Sequence, residues 1–236
     1  MSRLLIQRKK PIYLFAFLAV ELAAWFCVLF LSGSYVRFIS YGAVALALVF
    51  AALFVEKRAD TLFAVGGLFF TCIADIFLVL LQKEGDTLAM CVFLCAQLCY
   101  AGRTYLLAEG KKERLVQVTV RIIGSIVGGA ATWIIVGATT QAVFVISVVY
   151  YVNLVCSIVF SFLHWKKHAR ARYMAIGFLS FALCDLSIGF DFLIDIFSLG
   201  ETSFLYRLMH ANVSFVDLFY PPSQAILGAS VYPENK

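Results

Sequence analysis

The chain is built from long apolar runs that are separated by short polar connectors. Most of the runs approach the ~20 residues that an α-helix needs to cross the hydrocarbon core of a bilayer. The connectors leave no room for the regular alternation of a transmembrane barrel, so the runs are predicted to be helices. Asp217, Pro221 and Pro222 interrupt the last run, for which we expect a kinked or broken helix. The eight predicted spans are 11–31, 38–55, 61–81, 88–108, 115–137, 141–163, 173–197 and about 212–230.

Composition supports a membrane location. Of the 236 residues, 63% are hydrophobic and 14% are charged, with a mean hydropathy of +0.93, whereas an average soluble domain is about 45–50% apolar and about 25% charged. We therefore predict a single membrane-embedded domain over residues 1–236, an all-α polytopic bundle of about eight transmembrane helices. The first run follows Arg8, Lys9 and Lys10 but exceeds the ~7–15 apolar residues of a signal peptide, so it is counted as the first span.

The positive charges of the connectors predict the orientation. Fourteen of the nineteen lysines and arginines lie before the first span, after even-numbered spans or at the C-terminus, and three lie in the other connectors. By the positive-inside rule, both termini are cytoplasmic in an inner or plasma membrane. The remaining two, Arg103 and Arg121, are near cytoplasmic helix ends, where their side chains can extend to the interface. The net charge of +5 thus reflects topology and lipid headgroups; no nucleic-acid partner is expected, and no protein partner is indicated.

The seven cysteines all lie within apolar runs. Cys91, Cys95 and Cys99 share one helix face, but there is no Cys-x-x-Cys pair and no histidine close to them in the sequence. This arrangement favours packing over metal binding.

Two aspartates lie deep in the predicted spans. Asp75 is the only ionisable residue of the run 61–81, and Asp185 lies in the seventh run; each is roughly 20 Å from the cytoplasmic edge at ~1.5 Å per residue. Charges at this depth are costly and mark functional sites. Both aspartates close the same frame, a glycine followed by seven mostly apolar residues, which starts at Gly67 and at Gly177. The two copies run in the same direction, which is compatible with a parallel four-plus-four repeat.

Five other polar side chains fall at similar depth. We predict that they line one internal cavity together with the two aspartates. Each of the five could equally tie helices together, whereas burying two carboxylates for packing alone is expensive. The five residues are Glu21, Gln97, Tyr100, Tyr220 and Gln224.

At these positions the sequence resembles the YhhN family, the lysoplasmalogenase-like membrane proteins. The resemblance rests on four short motifs whose order and spacing extend over most of the chain. They are the span from Gly67 to Asp75, the stretch Phe93-Leu94-Cys95-Ala96-Gln97-Leu98-Cys99-Tyr100, the span end Phe181-Ala182-Leu183-Cys184-Asp185, and Tyr220-Pro221-Pro222-Ser223-Gln224 in the last span. Gln97 stands where the family often has histidine, Cys184 stands where serine is common, and the two adjacent prolines are unusual in the last span.

The resemblance implies hydrolysis of the vinyl ether bond of lysoplasmalogen to a fatty aldehyde and a glycerophospho-headgroup. Asp75 and Asp185 would then be the catalytic pair, one protonating the vinyl ether β-carbon and the other stabilising the cation, by a logic also used on glycosides. The other five residues would contact the substrate, a membrane lysophospholipid, and no metal or organic cofactor is required. The alternative is a transporter or lipid-binding protein that uses the intramembrane acids as a proton or ligand site, and the sequence does not separate the two.

Overall fold

The computed structural model describes residues 11–55, 58–81, 87–136, 142–196, 200, 202–209 and 214–232. Over these residues all regular structure is helical, which confirms the all-α class. The helices are α1 (Pro11–Phe30), α2 (Val36–Phe54), α3 (Ala59–Asp75), a π-helical turn (Ile76–Leu80) that continues α3, α4 (Thr87–Leu107), α5 (Lys111–Val136), α6 (Ala142–Leu163), α7 (Ala169–Ile196), α8 (Phe204–Met209) and α9 (Phe215–Ala229).

Seven of the described helices, α1 to α7, are long and apolar enough to cross a membrane, which confirms the polytopic helical bundle. In this count α3 is taken together with its π-helical turn. The eighth predicted run forms α9, which has 15 residues. At ~1.5 Å per residue this helix extends over only ~22 Å, less than the ~30 Å of a bilayer core.

The last run was expected to form a kinked or a broken helix, and it is not broken, because α9 is continuous through its two prolines. A proline inside a helix has no N–H, so the carbonyl four residues earlier loses its partner. For Pro221 that carbonyl belongs to Asp217, and it accepts a hydrogen bond from Trp25 Nε1 on α1 at 3.2 Å. A donor from another helix thus replaces the missing one, as is usual for prolines in membrane helices.

Helix α9 lies at the centre of the bundle although it is short. It packs against α1, α2, α3 and α7. More than half of its residues are buried, and Ser223, Gln224 and Leu227 are fully enclosed. The segment with the weakest sequence signal therefore forms the most enclosed helix of the core.

One end of the bundle is joined by polar contacts between helix starts and connectors. Arg170 Nη1, in the first turn of α7, donates to Asp60 Oδ2, in the first turn of α3, at 2.9 Å, and both side chains are buried. Between two connectors, Lys167 Nζ donates to Glu109 Oε2 at 2.5 Å. This bond holds the pKa of the exposed Glu109 carboxyl below its ordinary value and raises the pKa of Lys167. Helices α3 and α7 therefore start at the same end and run in the same direction.

Arg103 and Arg121 do not extend to an interface, so that expectation is wrong. Arg103 is 1% exposed and donates to Ser230, to Oγ at 2.6 Å and to the carbonyl oxygen at 2.9 Å. Arg121 donates to the carbonyl of Asn153 at 2.7 Å and to Thr104 Oγ1 at 2.9 Å. Carbonyl and hydroxyl acceptors from neighbouring helices thus stabilise both guanidinium groups inside the bundle.

The two glycines of the repeated frame mark close helix contacts. A Cβ added to Gly67 would lie 2.4 Å from Cε1 of Tyr100 on α4, and one added to Gly177 would lie 2.8 Å from Cγ of Leu227 on α9. These contacts belong to the two most extensive helix pairs, α3 with α4 and α7 with α9. In both copies the glycine therefore allows a partner helix to approach, and the aspartate follows about two turns later.

Some sequence predictions fall on residues outside the described ranges, and the orientation of the termini consequently remains a prediction. The predicted features on such residues are the span boundaries at 137, 141, 197 and 212 and the cations Arg3, Arg8, Lys9, Lys10, Lys57, Lys83 and Lys236.

Candidate functional site

Asp75 lies where α3 changes its hydrogen-bonding pattern. It is the last residue of the α-helical part, and Ile76–Leu80 form the π-helical turn, a feature that is frequent at functional sites. The Asp75 side chain is 1% exposed. Tyr220 Oη lies 2.6 Å from both Oδ1 and Oδ2 of Asp75 and donates its hydrogen to this carboxylate. The hydrogen bond joins α3 to α9 in the core of the bundle.

Asp185 has its own tyrosine, which was not among the predicted site residues. Tyr150 Oη on α6 donates to Oδ2 of Asp185 on α7 at 2.5 Å. Asp185 is only partly buried, and no residue of the described ranges donates to its other oxygen, Oδ1. The available sequence signal was the position of Tyr150 within the sixth apolar run, because a tyrosine hydroxyl inside a membrane bundle needs a hydrogen-bond partner.

Phe181 lies between the two tyrosines. Its ring centroid is 5.7 Å from that of Tyr220 and 6.4 Å from that of Tyr150. Cys184, one turn further along α7, is buried and directly precedes Asp185. The two carboxylate–tyrosine pairs therefore occupy one region of the bundle interior, with an aromatic ring between the tyrosines.

Gln97 belongs to the Asp185 side of this region. It is fully buried on α4 and lies beside the Tyr150 hydroxyl. Neither atom of its amide has a hydrogen-bond partner of accepted geometry among the described residues. A buried amide in this condition is costly unless it binds something else, so Gln97 is well placed to hold a polar ligand.

Tyr100, on α4, packs against an earlier part of α3 than Asp75. Its ring packs against Gly67, about two turns before Asp75, and makes an edge contact with Phe178 at 5.1 Å. Its hydroxyl lies near Thr71 and has no hydrogen-bond partner of accepted geometry within the described ranges. The contacts indicate that Tyr100 helps to position α3 against α4 and α7.

The two remaining predicted residues are buried, and within the described ranges no hydrogen bond joins either of them to Asp75 or Asp185. Gln224 Nε2 donates to Ser223 Oγ at 3.1 Å, whereas Oε1 has no partner in the described part of the chain. Glu21 is 4% exposed on α1, and neither of its carboxylate oxygens has a partner there. The substrate-binding roles of Glu21, Tyr100 and Gln224 remain predictions.

A cleft of about 460 Å³ opens at the end of the bundle opposite the Asp60–Arg170 pair. Tyr220 is the predicted site residue that lines this cleft. Two charged residues that were not predicted as site residues, Arg37 and Asp217, line it as well. The lining residues are Gly33, Ser34, Val36, Arg37, Ser40, Val79, Val216, Asp217 and Tyr220.

Among the residues that the structure describes, no cation neutralises either aspartate of the two pairs. Within the described ranges, no lysine or arginine forms an ion pair with Asp75 or Asp185. A tyrosine hydroxyl stabilises a carboxylate by hydrogen bonding without removing its charge. Two acids held in this way can carry and transfer a proton. The same part of the chain contains no group of three or more His, Cys, Asp or Glu side chains placed to hold a metal ion.

Comparison with known proteins places the chain in a family. The YhhN family model matches residues 34–215. The matched range contains Asp75, Gln97, Tyr100 and Asp185 and ends at the first residue of α9. No match was found among curated proteins or among solved structures. Because the family model extends over well more than half of the sequence, the chain belongs to the YhhN family.

Proposed function

We propose that this protein hydrolyses the vinyl ether bond of a lysoplasmalogen, a single-chain membrane phospholipid, to a fatty aldehyde and a glycerophospho-headgroup. The observation that carries the proposal is the pair of intramembrane aspartates, Asp75 and Asp185, each of which accepts a hydrogen bond from a tyrosine on another helix. Membership of the YhhN family is consistent with lysoplasmalogenase-like activity.

The reaction needs a proton donor, a group that stabilises positive charge, and water. Protonation of the β-carbon of the vinyl ether produces an oxocarbenium-like cation. Water then attacks the carbon that is bonded to oxygen, and the resulting hemiacetal breaks down to the aldehyde and the free glycerol hydroxyl. An acid and a carboxylate perform the corresponding steps in glycoside hydrolysis.

The geometry favours Asp185 as the proton donor. Its hydrogen bond from Tyr150 engages only Oδ2, so Oδ1 is free to carry the proton, and its side chain is partly accessible. Asp75 accepts from Tyr220 with both oxygens and is almost fully buried. We therefore assign Asp75 as the charged carboxylate that stabilises the cation. The unpartnered amide of Gln97, beside Tyr150, orients the attacking water.

The test is turnover by purified protein in detergent with lysoplasmalogen as the substrate. Release of fatty aldehyde supports the proposal. The matched control is the saturated ether lysolipid, which has no carbon–carbon double bond to protonate and should release no aldehyde.

A transporter or lipid-binding protein is the alternative, because buried acids also form proton relays and ligand sites in membrane proteins. Wild-type protein that binds lysoplasmalogen but releases no aldehyde above a protein-free control would contradict hydrolysis and support this alternative. Aldehyde release that is equal in wild type and in Asp185→Asn would contradict the assigned acid.

A further inference from the structure

We infer that the cleft beside Tyr220 binds a zwitterionic lipid headgroup, with Arg37 contacting the phosphate and Asp217 contacting the ammonium group. The inference rests on the proposed function for the single-chain lipid substrate. It adds the class of headgroup that the same site selects and the end of the bundle at which the headgroup lies.

The cleft has the size and chemistry of a small-ligand site. Its volume of about 460 Å³ falls within the ~300–1,000 Å³ of typical ligand pockets. Its walls come from the α1–α2 connection, the start of α2, the π-helical turn after Asp75 and the first turns of α9. Two opposite charges among these walls favour a ligand that itself carries both signs.

Arg37 supplies the positive charge. Its side chain is partly buried, and its guanidinium carbon lies 5.2 Å from the Phe38 ring centroid. The Nε atom is enclosed and has no hydrogen-bond partner among the described residues. A planar guanidinium that is held against an aromatic ring is well suited to bind a phosphate through two parallel hydrogen bonds.

Asp217 supplies the negative charge. The Ser214 Oγ cap engages its backbone N–H at 3.3 Å, and Trp25 engages its carbonyl oxygen at 3.2 Å. No residue of the described ranges forms an ion pair with its carboxylate. The backbone of Asp217 is thus fixed by its neighbours, and the residue lines the cleft, where its carboxylate can pair with an ammonium group.

The cleft reaches the tyrosine that donates to Asp75. Asp217 and Tyr220 are three residues apart on α9 and therefore share one helix face. Tyr220 lines the cleft and also donates to Asp75. In a lysoplasmalogen only the glycerol carbons separate the phosphate ester from the vinyl ether. A headgroup in the cleft therefore places the reacting bond near the Asp75–Tyr220 pair.

The basic cleft at the other end of the bundle is a poorer headgroup site. It measures about 270 Å³, and Arg58, His168 and Arg170 are among its lining residues. Asp60 already pairs with both arginines, at 3.1 and 2.9 Å. Asp75 lies ~22 Å from Asp60 along α3 at ~1.5 Å per residue, so a headgroup at that end would leave the vinyl ether far from the acids.

The test is binding of saturated ether lysolipids, which are not turned over, to the full-length protein in detergent. The headgroups are phosphocholine, phosphoethanolamine, phosphoglycerol and bare phosphate. We expect Arg37→Gln to weaken binding of all four by about tenfold or more, since hydrogen bonds to charged groups are lost. Asp217→Asn should weaken binding of only the two zwitterionic lipids. Arg37→Lys should retain part of the affinity, and Arg172→Gln, at an exposed arginine of the opposite end, should change none.

Unchanged binding in Arg37→Gln, or an equal loss for all four headgroups in Asp217→Asn, would overturn the inference. Displacement of the lysolipid by an equal concentration of free phosphocholine or inorganic phosphate would overturn the lipid assignment. Gel filtration and thermal melting show whether each variant is folded. The probes are not hydrolysed, so binding is measured separately from turnover. If the protein releases no aldehyde but the Arg37 and Asp217 variants lose binding as expected, the headgroup inference still stands. If the protein releases aldehyde but neither substitution changes lysolipid binding, the hydrolase proposal stands and the headgroup inference is wrong.

Discussion

Asp60 and Arg170 form a buried ion pair between the first turns of α3 and α7, with 2.9 Å between Oδ2 and Nη1. The two residues are 110 positions apart in the chain, and the same separation relates Asp75 to Asp185. Because the ion pair fixes the two helices at equivalent positions, both catalytic candidates lie at matching distances along α3 and α7. The repeated sequence frame is therefore also a matched pair of positions in space.

The Asp60–Arg170 pair should be important for stability. Arg170→Gln leaves the Asp60 carboxylate with the mostly exposed Arg58 as its cation, and breaking a buried pair typically costs about 3–5 kcal/mol. We expect a large decrease in the free energy of unfolding in detergent. The double variant Asp60→Asn, Arg170→Gln should be less destabilised than the single variant, because no buried charge is left uncompensated. A double variant that shows the full sum of both single losses would contradict this coupling.

Removal of either intramembrane acid should greatly reduce aldehyde release and leave the protein folded. Asp75→Asn and Asp185→Asn keep the side-chain shape, and general acid–base groups typically contribute ~10²–10⁴-fold. The residual activity of Asp75→Asn should still fall as the pH rises, because the proton donor is present. That dependence should be absent from Asp185→Asn. The measurement is the pH profile of aldehyde release, and the reverse pattern would exchange the two assigned roles.

The hydroxyls of Tyr220 and Tyr150 should contribute to stability and activity, because each donates a hydrogen bond to one of the two aspartates. Tyr220→Phe retains the ring contact with Phe181 but removes the donor to Asp75. Loss of a hydrogen bond to a charged group costs about 1.5–3 kcal/mol, so both the melting temperature and kcat should fall. Tyr150→Phe should act in the same way through Asp185. Full activity and stability in both variants would show that these bonds do not contribute to the site.

The glycines of the repeated frame should not tolerate a methyl group. In Gly67→Ala the new Cβ would lie 2.4 Å from the Tyr100 ring, and in Gly177→Ala it would lie 2.8 Å from Leu227. Overpacking of this kind typically costs about 1–3 kcal/mol. Gly42→Ala on α2 is the matched control, since nothing lies within 4 Å of its added Cβ. Melting temperatures in detergent should fall for the first two variants only, and equal melting of all three would contradict the described helix contacts.

Both termini are expected in the cytoplasm. The prediction follows from the excess of lysine and arginine in alternate connectors, and reporter fusions after Lys236 measure it. A cytoplasmic C-terminus would place the cleft of Arg37 and Asp217 on the extracytoplasmic side, because α9 runs from that cleft toward the end with the Asp60–Arg170 pair. If a reporter enzyme that works only outside the cytoplasm is active when it is fused after Lys236, the orientation is the reverse.

The sequence was sufficient to predict those features of the fold and the site that depend on a local signal. Apolar length predicts helices, and a carboxylate at membrane depth identifies Asp75 and Asp185 as candidates. It was insufficient where a partner comes from a distant helix. The continuity of α9 depends on Trp25, which is 192 residues from the carbonyl that it serves on Asp217. Similarly, Tyr150 donates to Asp185 only because folding brings α6 against α7. The spacing of residues in the sequence does not predict that these two helices are in contact.

The hydrogen bond from Trp25 to Asp217 also has a consequence for biogenesis. Ribosomes deliver α1 early and α9 late, and α9 is too short and too rich in proline to remain in a bilayer by its own length. It must dock onto helices that are already inserted. A chain that stops before α9 already contains both aspartates and nearly all of the apolar mass, yet it lacks Tyr220. The hydrogen bond from Tyr220 to Asp75 therefore forms only after α9 has docked onto the inserted helices.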